Sequence, residues 1–213
     1  MQHLEAVFHL RAPVALGAPW IFFDSLLMHA KLREELGERY FSLPTKLALK
    51  LGVDIPVKRW NDVYVASVSI FEPENVNMYV FQYFKRGDFP FTKGKISRGS
   101  GFFKDFYLKV VYAPALRVRF YATGELEEVR RLASRISALG KERNIGFGLV
   151  KEVVVREVGG EWGLVKDGVA MRPIPVRYLK SYEDAAVIAY KPPYWDKGNM
   201  ELCAVPFTRV ELK

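Results

Sequence analysis

The chain has 213 residues, half of them hydrophobic, so it is long enough to bury a core and too apolar to be largely disordered. A single cysteine excludes an intrachain disulfide and a cysteine-built zinc site, and the absence of a membrane-length apolar run or a signal-peptide pattern predicts a cytoplasmic protein with no membrane partner. The formal net charge of +8 favours a polyanionic partner.

The first predicted elements are a strand and a helix. Residues 4–11 alternate between apolar and polar side chains, which predicts a half-buried strand. Residues 20–36 carry apolar side chains at helical spacing, and Gly37 is placed to end that helix. Residues 63–71 and 77–84 are rich in β-branched and aromatic residues, and they are predicted to pair with each other as a hairpin.

A basic segment follows at residues 85–109, where seven cations face only two acids. The cations are Lys85, Arg86, Lys93, Lys95, Arg98, Lys104 and Lys109. Glycines and phenylalanines are interleaved with them, a composition that suits phosphate contacts together with base stacking. The alternative is a solvated hairpin loop whose phenylalanines lie in the core.

The second half of the chain repeats the order of strands and helix. Strands are predicted at 106–112 and 116–122 with a turn at Ala113-Pro114, then a helix that Gly140 caps, then a strand at 149–158. Proline-rich loops and a short hairpin, 185–190 with 202–207, complete the chain.

This order of elements predicts an α+β fold, a ferredoxin-like (RRM-like) antiparallel sheet with two helices on one face. We expect one domain over residues 1–213. Its core would span about 1–158, with the basic insertion at 85–105 and a C-terminal β extension at 159–213.

The glycine-rich sequence "GKERNIGFG", residues 140–148, raises the question of phosphate binding. It follows a helix instead of preceding one, no Ser or Thr comes after its lysine, and it lacks the third Rossmann glycine, so both nucleotide-loop motifs are excluded. Two interpretations stay open. One is a plain turn, and the other is a clamp in which Gly146 and Gly148 let the backbone approach a ligand closely. The phosphate donors of such a clamp are Lys141, Arg143 and Asn144.

A helix, a G-[KR]-x-x-x-x-G-h-G loop (h apolar) and a strand in this order resemble the RAMP superfamily of CRISPR-associated RNA-binding proteins, over roughly the first 158 residues. More narrowly, the "PWIFFDSLLMHAKL" helix, the basic insertion and the "RPIPV" and "PPYW" segments are similar to the small subunit of type IV CRISPR effectors that caps the 5′ handle of the guide RNA.

The resemblance implies a non-catalytic subunit of an antiviral CRISPR ribonucleoprotein that binds the guide-RNA 5′ handle, docks on the backbone subunit, and needs neither cofactor nor metal. The basic insertion would then be a thumb hairpin that wedges against the handle. The implied RNA-binding residues are Lys141, Arg143, Asn144, Gly146, Gly148, Lys85, Arg86, Lys93, Lys95, Arg98 and Lys104.

Catalysis is the alternative, because some RAMP proteins cleave precursor RNA with a histidine as general acid or base. The candidates here are His29 on the first helix and His9 on the first strand. The plainer interpretation is that one borders a packed helix and the other an ordinary strand. The second hypothesis is therefore a metal-independent CRISPR repeat endoribonuclease.

Overall fold

The structure, a computed structural model, describes residues 1–42, 44, 53–73, 77–85, 98–100 and 104–213. The described α-helices are α1 (Phe23–Leu36), α2 (Arg39–Ser42) and α3 (Leu126–Ser134). The strands of the N-terminal part are β1 (Gln2–Leu10), β2 (Val14–Leu16), β3 (Arg59–Trp60), β4 (Val63–Tyr64), β5 (Ile70–Glu72), β6 (Tyr79–Lys85), β7 (Phe106–Ala113), β8 (Arg117–Gly124) and β9 (Val150–Glu157). Those of the C-terminal part are β10 (Val165–Lys166), β11 (Val169–Ala170), β12 (Ile174–Pro175), β13 (Leu179–Tyr182), β14 (Ala185–Ala189), β15 (Met200–Ala204) and β16 (Val210–Leu212).

A four-stranded sheet in the order β5-β8-β1-β9 organises the N-terminal part, and every neighbouring pair in it is antiparallel. Phe8 lies opposite Val118 of β8 and Val153 of β9. Because side chains alternate along β1, its even-numbered residues point to one face, where Leu4 and Phe8 are buried. The predicted strand at residues 4–11 is confirmed.

The helices α1 and α3 cover that face of the sheet. The rings of Phe8, Phe23 and Phe120 pack against one another with centroid distances of 5.0–6.4 Å. Helix α1 ends before Gly37 as predicted, but it begins at Phe23 and not at Trp20, because Phe22 forms a β-bridge to Val68.

The predicted hairpin between residues 63–71 and 77–84 is wrong. Residues 63–71 hold the short strand β4 and the edge strand β5, which pairs with β8. Strand β6 pairs instead with β7, and β2 adds to the other side of β7. The basic segment therefore joins the two strands of hairpin β6–β7. Strands β7 and β8 consequently lie in different sheets, so Ala113-Pro114 is no hairpin turn.

Gly140 does not cap α3, contrary to the sequence prediction. The helix ends at Ser134, and the chain then extends so that it pairs with residues 148–150. The amide of Leu139 donates to the carbonyl of Gly148, and the amide of Val150 donates to that of Ser137, both at 2.9 Å. Leu139, which continues the helical spacing, is buried in this extended segment, and Ile136 is buried in the turn that follows the helix.

A second core lies beneath the C-terminal strands, where Val63 and Val65 pack with Ile174, Tyr190 and Cys203. The predicted C-terminal hairpin is confirmed as β14–β15, with strands at 185–189 and 200–204. The fold is thus mixed α/β with antiparallel sheets and few helices. None of the described helices combines the length and the apolar composition that a membrane span requires.

A buried ion pair joins the C-terminal part to α1. Arg172 and Asp24 are both fully buried, with Nη2 of Arg172 3.4 Å from Oδ2 of Asp24. Arg172 also donates to the carbonyl groups of Tyr64, Ala66 and Tyr190. Burial raises the pKa of Tyr194 well above its ordinary value, so its hydroxyl stays protonated and donates to Asp24 at 2.6 Å.

Candidate nucleic-acid interface

The glycine loop, residues 140–148, contains four residues in the left-handed backbone region. The φ angles are +76° at Gly140, +54° at Glu142, +98° at Gly146 and +68° at Gly148. A Cβ atom on Gly148 would lie 1.9 Å from the carbonyl oxygen of Leu139, whereas one on Gly146 would meet nothing within 4 Å. Gly148 therefore permits close packing against the chain's own backbone, and Gly146 faces open space.

The glycine loop is anchored to hairpin β6–β7. The amide of Lys141 donates to the carbonyl of Ala15 on β2, which is itself paired with β7. The ring of Phe147 lies 6.1 Å from that of Phe81 and 5.7 Å from that of Tyr112, the two residues belonging to β6 and β7. Aromatic contacts and backbone hydrogen bonds thus hold the loop and the base of the hairpin together.

A groove of about 740 Å³ lies between the glycine loop and the helices α1 and α2. It is lined by His29, Arg33, Tyr40, Phe41, Ser137, Ala138, Gly140, Lys141, Glu142, Arg143, Asn144 and Leu149. Four of these residues, His29, Lys141, Arg143 and Asn144, were candidates from the sequence. The lining residues that the sequence did not identify include the cation Arg33 and the phenol Tyr40.

Of Arg33 and Tyr40, sequence spacing could have identified only Arg33. Arg33 follows His29 by four residues on α1, so the two share a helix face. Tyr40 reaches the groove because the chain turns at Gly37, which has a φ of +53°, and enters α2. The direction of that turn is a tertiary property that residue spacing does not encode.

Three cations of this groove, Arg33, Lys141 and Arg143, form no ion pair with any carboxylate of the described residues. Nearby Arg135, in contrast, forms an ion pair with Glu34, with 3.3 Å between its Nη2 and Oε1 of Glu34. Arg33 lies over the ring of Phe41, 5.3 Å from its centroid. Glu142 is the acidic lining residue, so the groove keeps an excess of positive charge available to a polyanion.

His29 is half-buried in the wall of the groove, and its Nδ1 lies 2.7 Å from the hydroxyl oxygen of Tyr40. Burial lowers the pKa of His29 below its ordinary value of about 6.5, and the positive charges of Arg143 and Arg33 lower it further. The imidazole is therefore neutral near pH 7 and able to accept a proton.

The remaining candidates lie on or near the hairpin, or outside the described residues. Lys85 ends β6 with its ammonium 5.7 Å from the ring centroid of Phe106. The carbonyl of Arg98 accepts from the amide of Asp105, and Lys104 is exposed just before β7. The candidates outside the described residues are Arg86, Lys93 and Lys95.

His9 is separate from the groove. It lies on β1 opposite Arg117 of β8 and Glu152 of β9, on the sheet face away from Phe8. The two candidate histidines therefore do not form one site.

The family model for the CRISPR type IV associated protein Csf3 matches residues 80–206, more than half of the chain. The chain belongs to the Csf3 family. The matched span of this Csf3-family protein includes most of hairpin β6–β7, the basic segment and the glycine loop. The similarity to type IV CRISPR proteins that the sequence predicted is confirmed.

Among solved structures, the Csf3-family protein is similar to a chain in the cryo-EM structure of the Type III-B Cmr-beta bound to cognate target RNA. The identity is 11% and the TM-score 0.39, over 73% of this chain. The match covers 61% of that chain's length. No curated protein matches the sequence.

Proposed function

We propose that this Csf3-family protein is a non-catalytic RNA-binding subunit of a CRISPR effector ribonucleoprotein, and that it binds the 5′ handle of the guide RNA in the groove between α1, α2 and the glycine loop. The observation that carries the proposal is a set of three cations on the walls of one groove, Arg33, Lys141 and Arg143, which have no carboxylate partner among the described residues. Guanidinium and ammonium groups that have no carboxylate partner can contact phosphates without first breaking an ion pair.

The proposal includes a ferredoxin-like, RAMP-type core within a single domain. In chain order, β1, α1, β5, β8, α3 and β9 follow the pattern β-α-β-β-α-β, and β1 and β8 lie at the centre of the sheet. Both features are expected of that fold. Residues 159–213 would then be a C-terminal extension fastened to the core through Arg172.

Hairpin β6–β7 would supply a second RNA contact and act as the thumb. Its strands carry several exposed aromatic side chains, including Tyr83, Phe84 and Tyr107, which are 46%, 60% and 53% exposed. Exposed rings near basic residues suit stacking on unpaired bases. Because Phe147 packs against the base of the hairpin, RNA held by the glycine loop would lie close to these rings. The protein partner would be the backbone subunit of the effector complex.

The groove is tested by fluorescence anisotropy with a labelled single-stranded repeat RNA over a range of salt concentrations. The variant Lys141→Ala/Arg143→Ala should lose affinity, and its slope of log affinity against log salt should become shallower by about 1.4, since each phosphate contact contributes about 0.7. The control Lys180→Ala/Lys197→Ala loses the same charge on exposed C-terminal residues and should keep the slope. Equal losses in both variants would contradict the groove proposal. Sequencing of RNA that co-purifies with the complex tests the assignment to the 5′ handle.

A second candidate function, metal-independent cleavage of repeat RNA, is favoured by the position of His29. A neutral imidazole lies among cations in the same groove, and the Tyr40 hydroxyl orients it. His29 would take the proton of a ribose 2′-hydroxyl, whose oxygen attacks the adjacent phosphorus while Arg143 stabilises the charge on the phosphate. The bond to the 5′-oxygen breaks, this oxygen takes a proton from water and leaves as a hydroxyl, and a 2′,3′-cyclic phosphate remains.

Incubation of labelled repeat RNA with the protein in a metal chelator separates the two functions. Site-specific cleavage that His29→Ala abolishes and His9→Ala retains would establish the nuclease and refute the non-catalytic proposal. RNA binding without cleavage would leave the binding subunit as the function.

A further inference from the structure

A second cleft, of about 430 Å³, opens on the sheet face that the helices leave uncovered. Val118 and Phe120 of β8 point into the helix-covered core, so Arg119 and Tyr121 point to the opposite face, where they line the cleft. The C-terminal part closes the other side with Lys166, Met171 and Phe207. The cleft shares no lining residue with the groove beside the glycine loop.

Lys166 is the cation of this cleft that is open to an anion. Its ammonium lies 5.0 Å from the ring centroid of Tyr121 and 4.5 Å from that of Trp162, and within the described part of the chain it has no carboxylate partner. Arg119 differs, since it forms ion pairs with Glu5 and Glu72. No described residue that lines the cleft is acidic.

Phe207 supplies an exposed aromatic surface at the same cleft. Its side chain is 50% exposed and its φ is +68°, a conformation that is unusual for a bulky residue. The turn holds it there, because its amide donates to the carbonyl of Ala170 and the Thr208 hydroxyl donates to that of Val205, both at 2.7 Å. Non-glycine residues held in this conformation cluster at active sites and ligand-binding sites.

We infer that this cleft binds a nucleotide, with the base against Phe207 and the phosphate at Lys166. The thioethers of Met78 and Met171 complete the apolar wall for the base. The volume falls within the range of about 300–1,000 Å³ that is usual for small-molecule sites. A ligand with a planar apolar end and an anionic end fits this cleft, because Phe207 would contact the planar end and Lys166 the anionic end. It is either a free mononucleotide or one nucleotide splayed out of an RNA strand.

Calorimetric titration with AMP, adenosine and inorganic phosphate tests the inference directly. AMP should bind, and adenosine and phosphate should each bind at least about tenfold more weakly, since each lacks one half of the ligand. Lys166→Gln and Phe207→Leu should each weaken AMP binding about five- to tenfold. The matched control Lys197→Gln should leave AMP binding unchanged. Adenosine or inorganic phosphate binding as tightly as AMP would overturn the inference.

Anisotropy with single-stranded RNA distinguishes the two sources of the nucleotide. If the two variants also weaken RNA binding, the nucleotide belongs to an RNA strand; if only AMP binding changes, it is a free ligand. The groove variant Lys141→Ala/Arg143→Ala should retain AMP affinity, so failure of the groove proposal leaves this inference standing. No AMP binding up to about 10 mM, together with wild-type RNA affinity in both cleft variants, would refute it.

Discussion

Two glycines of the same loop, Gly146 and Gly148, should respond very differently to alanine. Both have positive φ, so a side chain at either position costs about 1 kcal/mol of backbone strain. At Gly146 nothing else opposes a Cβ atom, and Gly146→Ala should lower the free energy of unfolding by about that amount.

At Gly148 the added carbon would lie 1.9 Å from the carbonyl oxygen of Leu139, so the two segments must separate. The hydrogen bonds from Leu139 to Gly148 and from Gly148 to Pro13 would be broken or weakened, at about 1 kcal/mol each. Gly148→Ala should therefore cost about 3 kcal/mol in total, which for a chain of this size lowers Tm by roughly 6–12 °C.

Urea and thermal unfolding followed by circular dichroism measure both variants, and Gly146→Ala serves as the matched control for strain alone. Equal destabilisation of the two variants, or a Gly148→Ala protein as stable as the wild type, would refute the packing that we assign to this loop. RNA anisotropy on Gly146→Ala then reports whether the open side of the loop receives the RNA backbone.

Three further predictions address the groove wall, the buried ion pair and the hairpin. The pKa of His29 is lowered in the folded protein, so as pH falls the unfolded chain takes up the proton first and the free energy of unfolding decreases. Urea unfolding should therefore show a larger decrease between about pH 6.5 and about pH 5.5 in the wild type than in His29→Gln. Arg172→Met leaves the buried carboxylate of Asp24 without its cation and should cost about 3–5 kcal/mol in urea unfolding, much of it recovered when Asp24→Leu is added. Phe147→Ala should accelerate amide hydrogen exchange in β6 and weaken RNA binding, whereas Phe41→Ala should leave β6 exchange unchanged.

The spacing of apolar residues predicted strands and helices well where the residues at that spacing form one buried face. The alternation around Phe8 and the apolar spacing of α1 both reflect one buried face, so the strand and the helix were located within a few residues. The pattern failed after Ser134, where Ile136 and Leu139 keep helical spacing although the helix has ended. Both are buried, but only Ile136 still donates to the preceding turn, at Ala133, whereas the amide of Leu139 donates to the carbonyl of Gly148.

Strand pairing was the harder problem, since partner choice depends on distant segments. Strand β6 pairs with β7 beyond the basic segment and not with the apolar run that precedes it, and no local feature of "NMYVFQYF" distinguishes the two partners. The same limit applies to the groove. The sequence supplied Lys141, Arg143 and His29 as separate candidates, and only the fold brings them to one surface.

The ion pair between Arg172 and Asp24 also has a consequence for the order in which the protein folds. The two residues are 148 positions apart, so closing the chain between them has a large entropic cost and comes after local contacts have formed. Until Arg172 contacts it, the Asp24 carboxylate must remain hydrated. The first turn of α1, which carries Asp24, therefore cannot be buried before then. During synthesis, a chain that has emerged only as far as β9 would therefore have an N-terminal core that is not fully packed around Asp24. That packing is completed when the C-terminal residues, which include Arg172, emerge from the ribosome.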